Sequence, residues 1–252
     1  MKLWIVSDLH LEVRKDFLPG RRRPEDFDVL VLAGDVKDGD VVAGVETAAA
    51  MAGGKPAIYV AGNHCHWGTS FQAVVEDGLE AGRRTGVHFL QNATVEIDGT
   101  TFFGATLWDE MLPDPKARRP DLSAIMSGLE PHPQPHSSLP FGEQVYVRSE
   151  GSTMDRRAKN RNVRAEHEKS VAAMLAARAE VVVTHYPPPT ALIARVAPRL
   201  WIHGHEHRVR DETIGTTRVL GNAVGMPSEN RRLDNLCAMV VEIAPAPTPA
   251  PR

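Results

Sequence analysis

Short apolar runs rich in valine and isoleucine recur along the chain, at residues 3–6, 29–32, 58–60, 181–183 and 200–202. Each is apolar at consecutive positions and is followed at once by a polar or glycine-bearing turn. That is the pattern of strands buried on both faces. Two helical stretches lie among the early runs. Residues 40–51 open on an acid and lead into an alanine-rich segment, and residues 70–84 place Phe71, Val74, Val75 and Leu79 at helical spacing. Strand and helix alternating in this way predict βαβ units. The centre of the chain changes period. From Thr94 to Phe103, apolar and polar residues alternate about Asp98-Gly99, which predicts a tight hairpin. Further alternation at 216–220 and 238–243 predicts antiparallel strands added to the parallel ones, so an α/β fold with mixed sheets is expected.

Residues 109–158 interrupt the rhythm. They carry Pro113, Pro115, Pro120, Pro131, Pro133, Pro135 and Pro140 with little periodicity, which predicts an insertion that serves as a lid or stays irregular. A helix resumes over 158–178, with Val163, His167, Val171, Met174 and Leu175 on one side. Residues 243–252 are dominated by alanine and proline and cannot pack a core, so a single domain over 1–242 and a disordered tail are expected.

Composition narrows the function. With 29 basic against 32 acidic side chains the net charge is -3, which disfavours a protein built as one large nucleic-acid surface. No apolar run approaches the ~18 residues of a membrane span, and the opening residues are too short for a signal-peptide core. Two cysteines exclude a disulfide framework and point to a reducing, cytoplasmic compartment. The outlier is histidine, with 11 residues against 3 tyrosines.

Those histidines, with a few carboxylates, fall directly behind the apolar runs. The first run is followed by Ser7-Asp8-Leu9-His10 and the second by Gly34-Asp35-Val36-Lys37-Asp38-Gly39. Gly62-Asn63-His64 follows the third, Thr184-His185 the fourth, and His203-Gly204-His205-Glu206-His207 the fifth. Ligands of open α/β sheets bind beyond the carboxyl ends of the strands, so these residues converge on one crevice. Imidazole with carboxylate and amide oxygen suits manganese, iron, cobalt, nickel or zinc. Residues two apart in an extended segment point to the same side, so both members of Asp8-x-His10 and of His205-x-His207 can face one site. Any one of these fragments occurs as an ordinary turn. The ordered set of five does not.

That set resembles the calcineurin-like metallophosphoesterases, whose pattern is D-x-H, G-D-x-x-D/N, G-N-H-D/E, a lone histidine after a strand, and G-H-x-H. The resemblance covers residues 3 to about 226 and implies a four-layer α/β/β/α sandwich of two mixed sheets around two divalent transition metal ions. Manganese and iron come first, with zinc, cobalt or nickel as alternatives. It implies that Asp8, His10 and His207 hold one ion, that Asn63, His185 and His205 hold the second, and that Asp35 bridges them. A water or hydroxide shared by the ions would attack a phosphomonoester or phosphodiester in line, with His64 beside the leaving group. Asp38 is placed as a support behind the site, His203 beside the metals, and His66 along the substrate cleft. The family usually has a carboxylate after Gly-Asn-His, whereas this chain has Cys65-His66. The partner that orients His64 must then be a backbone carbonyl or a carboxylate from elsewhere. The competing expectations are a catalytically weak binding scaffold, disfavoured because every ligand is kept, and a nuclease, disfavoured by the net charge.

Overall fold

The computed structural model describes residues 1–14, 21, 23–108, 146–148, 155–157, 160–229 and 239–244. Its first apolar runs form β1 (Lys2–Val6), β2 (Val29–Leu32) and β3 (Ala57–Tyr59), which pair in parallel and continue to the short β4 (His88–Phe89). β13 (Val240–Glu242) adds antiparallel to the free side of β1, giving the order β13-β1-β2-β3-β4. The second sheet contains β5 (Ala93–Ile97), β6 (Thr100–Ala105), β9 (Val181–Thr184), β10 (Leu200–His203), β11 (Val209–Ile214) and β12 (Thr217–Asn222). Its order is β11-β12-β10-β9-β6-β5, parallel through the middle with an antiparallel strand at each edge. The hairpin expected at Asp98-Gly99 joins β5 to β6, and both turn residues have positive φ, 46° and 73°. Such a two-residue turn matches the twist of the strands it connects.

The helices begin and end where the sequence places their caps. The Asp40 side chain accepts from the Ala43 N–H at 2.9 Å to start α1 (Val41–Ala52), and left-handed Gly53 ends it. Ser70 accepts from the Ala73 N–H at 3.2 Å to start α2 (Phe71–Thr85), which closes on left-handed Gly86. α3 (Asn160–Ala177) buries Val163, His167 and Met174. α4 (Thr190–Val196) was not expected, because seven residues are too few to show a period. A two-stranded hairpin, β7 (Tyr146–Arg148) with β8 (Asp155–Arg157), falls inside the stretch expected to be an irregular insertion. It lies past the last proline of that stretch, where nothing bars ladder pairing. The remainder of 109–158, and the tail after residue 244, lie outside the described residues.

Because strand side chains alternate, strands apolar on both faces must feed two cores at once. Trp4, Val6, Leu30, Leu32 and Tyr59 turn outward onto α1 and α2. Leu3, Ile5, Val29, Val31 and Ile58 turn inward against Phe102, Val181, Val183, Leu200, Ile202 and Leu220 of the second sheet. On that sheet's far side Phe103, Val182, Trp201 and Val219 meet Met174 of α3 and Leu192 and Ile193 of α4. The result is the four-layer α/β/β/α sandwich that the family resemblance implied.

The sheets are also stitched at one end. Ser7 N donates to Asn222 O at 3.1 Å, Val224 N to Ser7 O at 2.9 Å and Asn222 Nδ2 to Ile5 O at 2.7 Å. The carboxyl ends of β1 and β12 therefore share one seam. Removing apolar volume between the sheets should loosen it. Ile202→Ala, at a site with no exposure, is expected to lower unfolding stability by about 2–5 kcal/mol, read as a lower urea midpoint at unchanged slope.

Candidate metal centre

Loops leaving the strands of both sheets run on side by side above the seam. Asp8 N donates to Gly34 O at 2.9 Å, His10 N to Asp35 O at 3.2 Å, Gly204 N to His185 O at 3.0 Å and Gly225 N to Asp8 O at 2.9 Å. Within these loops Asp8, His10, Asp35, His205 and His207 all take positive φ, between 46° and 68°. The left-handed region costs roughly 1–3 kcal/mol per residue, and Asp and His tolerate it better than most. Three motif glycines keep the walls close. A Cβ on Gly34 would fall 2.3 Å from His185 Nδ1, one on Gly62 2.0 Å from Asp35 Oδ1, and one on Gly204 2.6 Å from Asp8 Oδ2.

The side chains meet in two groups. In one, Asp8, His10 and His207 present their ligand atoms within 4.8 Å of one another. His10 Nε2 and His207 Nε2 face each other at 3.1 Å. Both rings are already engaged at the opposite nitrogen, His10 Nδ1 donating to Glu12 at 3.0 Å and His207 Nδ1 to Glu229 at 3.1 Å. With their Nδ1 atoms so held, both rings turn Nε2 toward the same space beside Asp8. Nitrogens ~2.0–2.1 Å from one ion and at right angles around it would stand about 3 Å apart. The residues present therefore fit a metal.

In the second group, Asn63 Oδ1 lies 2.9 Å from His185 Nε2 and 3.1 Å from His205 Nδ1. His185 donates from Nδ1 to Ala33 O at 2.9 Å, leaving Nε2 to face Asn63 and Asp35 Oδ2, the latter at 3.0 Å. Asp35 also groups with His10 and His64, so it stands between the two sets.

The electrostatics follow from burial. Asp35 and Asp8 are removed from water, which opposes their charge. The surrounding imidazoles outweigh that cost, and both carboxyls are held below the usual carboxylate range. Burial likewise disfavours a charged His185, yet Asp35 and Asp8 drive its pKa up to about 9. His205 has burial and His185 against it and falls to about 3. The crevice thus demands positive charge, which a proton or a cation can supply.

Residues 1–209 match the family model described as calcineurin-like phosphoesterase. The chain belongs to that family. It is a metal-dependent hydrolase of phosphoric ester bonds. Among solved structures, the chain is similar to a phosphopantetheinyl hydrolase from Mycobacterium tuberculosis, 19% identical with a TM-score of 0.67 over 100% of this chain and 98% of the other. A second solved structure is 14% identical with a TM-score of 0.51, covering 90% of this chain and 91% of the other. An archaeal phosphodiesterase is 13% identical with a TM-score of 0.35, covering 90% and 84%. At these identities the first two likenesses are of fold alone. No curated protein matches the chain.

Around the phosphoesterase crevice, His64 N donates to Asp35 Oδ1 at 2.9 Å, and its Nε2 lies 4.0 Å from Asp35 Oδ2. Its Nδ1 donates to Asp38 Oδ1 at 2.8 Å, so a carboxylate from another loop stands where Cys65 leaves none. Cys65 is buried, its thiol pushed up to about 12 by burial, and lies 3.1 Å from the Tyr59 hydroxyl. His66 is buried, its ring against Phe71 and Trp108. His203 donates from Nδ1 to Gly204 O at 3.0 Å, behind the Gly204-His205 turn. Glu12, Glu229 and Trp67 escaped the sequence reading. Glu12 lies in the turn that follows left-handed His10, so the extended alternation expected for Asp8-x-His10 does not reach it, and Glu229 sits in a distant 3-10 turn, Pro227–Glu229, with no sequence signal. Carboxylates behind ligating histidines commonly contribute ~10–100-fold in metal affinity. Glu229→Gln and Glu12→Gln are each expected to weaken metal binding within that range, measured by chelator competition.

Proposed function

We propose that this chain is a binuclear-metal phosphoesterase acting on a small phosphomonoester or phosphodiester. Asp8, His10 and His207 would hold one divalent ion, Asn63, His185 and His205 the other, with Asp35 shared between them. The observation that carries this reading is the facing pair His10 Nε2 and His207 Nε2, 3.1 Å apart with both Nδ1 atoms committed to carboxylates. Manganese or iron suits the mixed nitrogen and oxygen donors, as do zinc, cobalt and nickel. When bound, such a pair lowers the pKa of a water toward ~7 and neutralises charge on the phosphoryl oxygens.

The chain's own groups do the rest. Asp35 keeps the two ligand groups together and, through His64 N–H, fixes the loop that carries His64. Burial opposes a charged His64, but Asp38 and Asp35 together raise its pKa above the ordinary value. A protonated ring donates from Nδ1 to Asp38 and keeps Nε2–H for the leaving oxygen, the arrangement of a general acid. No helix among the described residues is long and apolar enough to cross a membrane, and the free buried Cys65 suits a reducing, cytoplasmic setting. A scaffold that had abandoned catalysis would have no need of strained ligand loops.

Asp35→Asn and His205→Ala are expected to abolish turnover and to lower metal content, measured by elemental analysis beside an assay panel of phosphomonoesters, phosphodiesters and a phosphopantetheinyl ester. Full activity in Asp35→Asn would end the proposal. Chelation should remove activity and added manganese or iron should restore it.

A further inference from the structure

Trp67 lies where no motif requires it. It closes the 3-10 turn His64–His66, and its indole stacks on the His64 imidazole with centroids 3.8 Å apart and planes 30° from parallel. His64 is held on further sides. Asp38 binds its Nδ1, and the His10 ring meets it edge to face with centroids 4.8 Å apart. The His64 carbonyl accepts from Gly39 N at 2.9 Å and from Trp67 N at 3.1 Å. The loop packs tightly to bring the indole there, since a Cβ on left-handed Gly39 would fall 2.6 Å from Trp67 O. Trp67 is half-buried and packs against the cluster of Phe71, Trp108, Val163 and Tyr186.

One hydrogen bond at Nδ1 leaves an imidazole free to swing about that bond. A ring stacked on its face removes this freedom and shields that face from water. Proton donation depends on geometry before it depends on acidity, because the donor must point at the leaving oxygen. We propose that Trp67 is a positioning residue, holding the His64 ring in the plane from which Nε2–H reaches the leaving group. This rests on His64 acting as the general acid. As the ester P–O bond breaks, its electron pair goes to the leaving oxygen, which takes the Nε2 proton. Water supplies the new oxygen on phosphorus and its proton passes to solvent, which later reprotonates His64.

A positioning role has a signature that structural support lacks. Poor leaving groups need the proton and good ones do not. Turnover of the metal-loaded enzyme is measured across aryl phosphoesters graded from phenyl to dinitrophenyl leaving groups. Trp67→Ala and Trp67→Leu are expected to lose about tenfold with phenyl, part of the ~10²–10⁴ that general acids supply, and under about threefold with dinitrophenyl. Trp67→Phe keeps a stacking ring and should stay near wild type throughout. In a His64→Ala background, Trp67→Ala should add no further dependence on the leaving group. The Leu and Phe variants carry the comparison if Trp67→Ala folds poorly. Equal losses across the series, or a Trp67 effect that persists without His64, would overturn the proposal. A flat series for His64→Ala itself would instead overturn the assignment of His64, and the role of Trp67 with it.

Discussion

A carboxylate with almost no access to water organises this molecule. Asp35 is 1% exposed, and its two oxygens reach a backbone N–H on one side and the His185 ring on the other. Burying such a charge unpaired would cost several kcal/mol. Its environment must therefore supply positive charge and hydrogen-bond donors from several directions. Asp8 imposes the same demand a few ångströms away and meets it with the Ser7 hydroxyl, the His205 N–H and the His207 ring. The two acids sit behind neighbouring parallel strands, and every histidine around them comes from a strand end facing the same seam.

The fold serves that seam by being rigid below it. The inward faces of both sheets interdigitate through Ile5, Val31, Val183 and Ile202, while backbone bonds across Ser7 and Ala223 join their upper ends. A frame so close-packed can hold five candidate ligand residues in left-handed conformations, where an exposed loop would relax. Close backbone approach is part of the same economy. Gly34, Gly62 and Gly204 each leave room for a ligand side chain that a methyl group would displace. The carboxylates behind His10, His64 and His207 then set which nitrogen of each ring faces the crevice, a choice the backbone does not make.

Much of the architecture was legible in the residues. Strands apolar on both faces required two cores, and alternation about Asp98-Gly99 announced the hairpin. The caps Asp40 and Ser70 marked the helix starts. The misses have local causes. α4 is too short to carry a period, and β7 with β8 was hidden inside a stretch whose proline content dominated its reading. The candidate ligands were legible for a different reason. Each lies immediately after an apolar run, so its place at a strand end followed from the run, and its ligand chemistry from the residue type.

By itself the sequence determined an α/β fold of mixed sheets, a crevice at the strand ends, and the set of histidines, acids and amide placed there; the four layers were implied by the family resemblance. Sequence adjacency carries the crevice and its residues because a strand and its following turn are contiguous. Tertiary structure alone decided the partners. Asp38 reaching His64, Glu12 and Glu229 backing His10 and His207, and Trp67 stacking on His64 depend on ring orientation and on the distance between loops. None of these is encoded in spacing along the chain. At the broken Gly-Asn-His-carboxylate pattern, a carboxylate from a spatial neighbour, Asp38, meets His64 Nδ1 where Cys65 offers none.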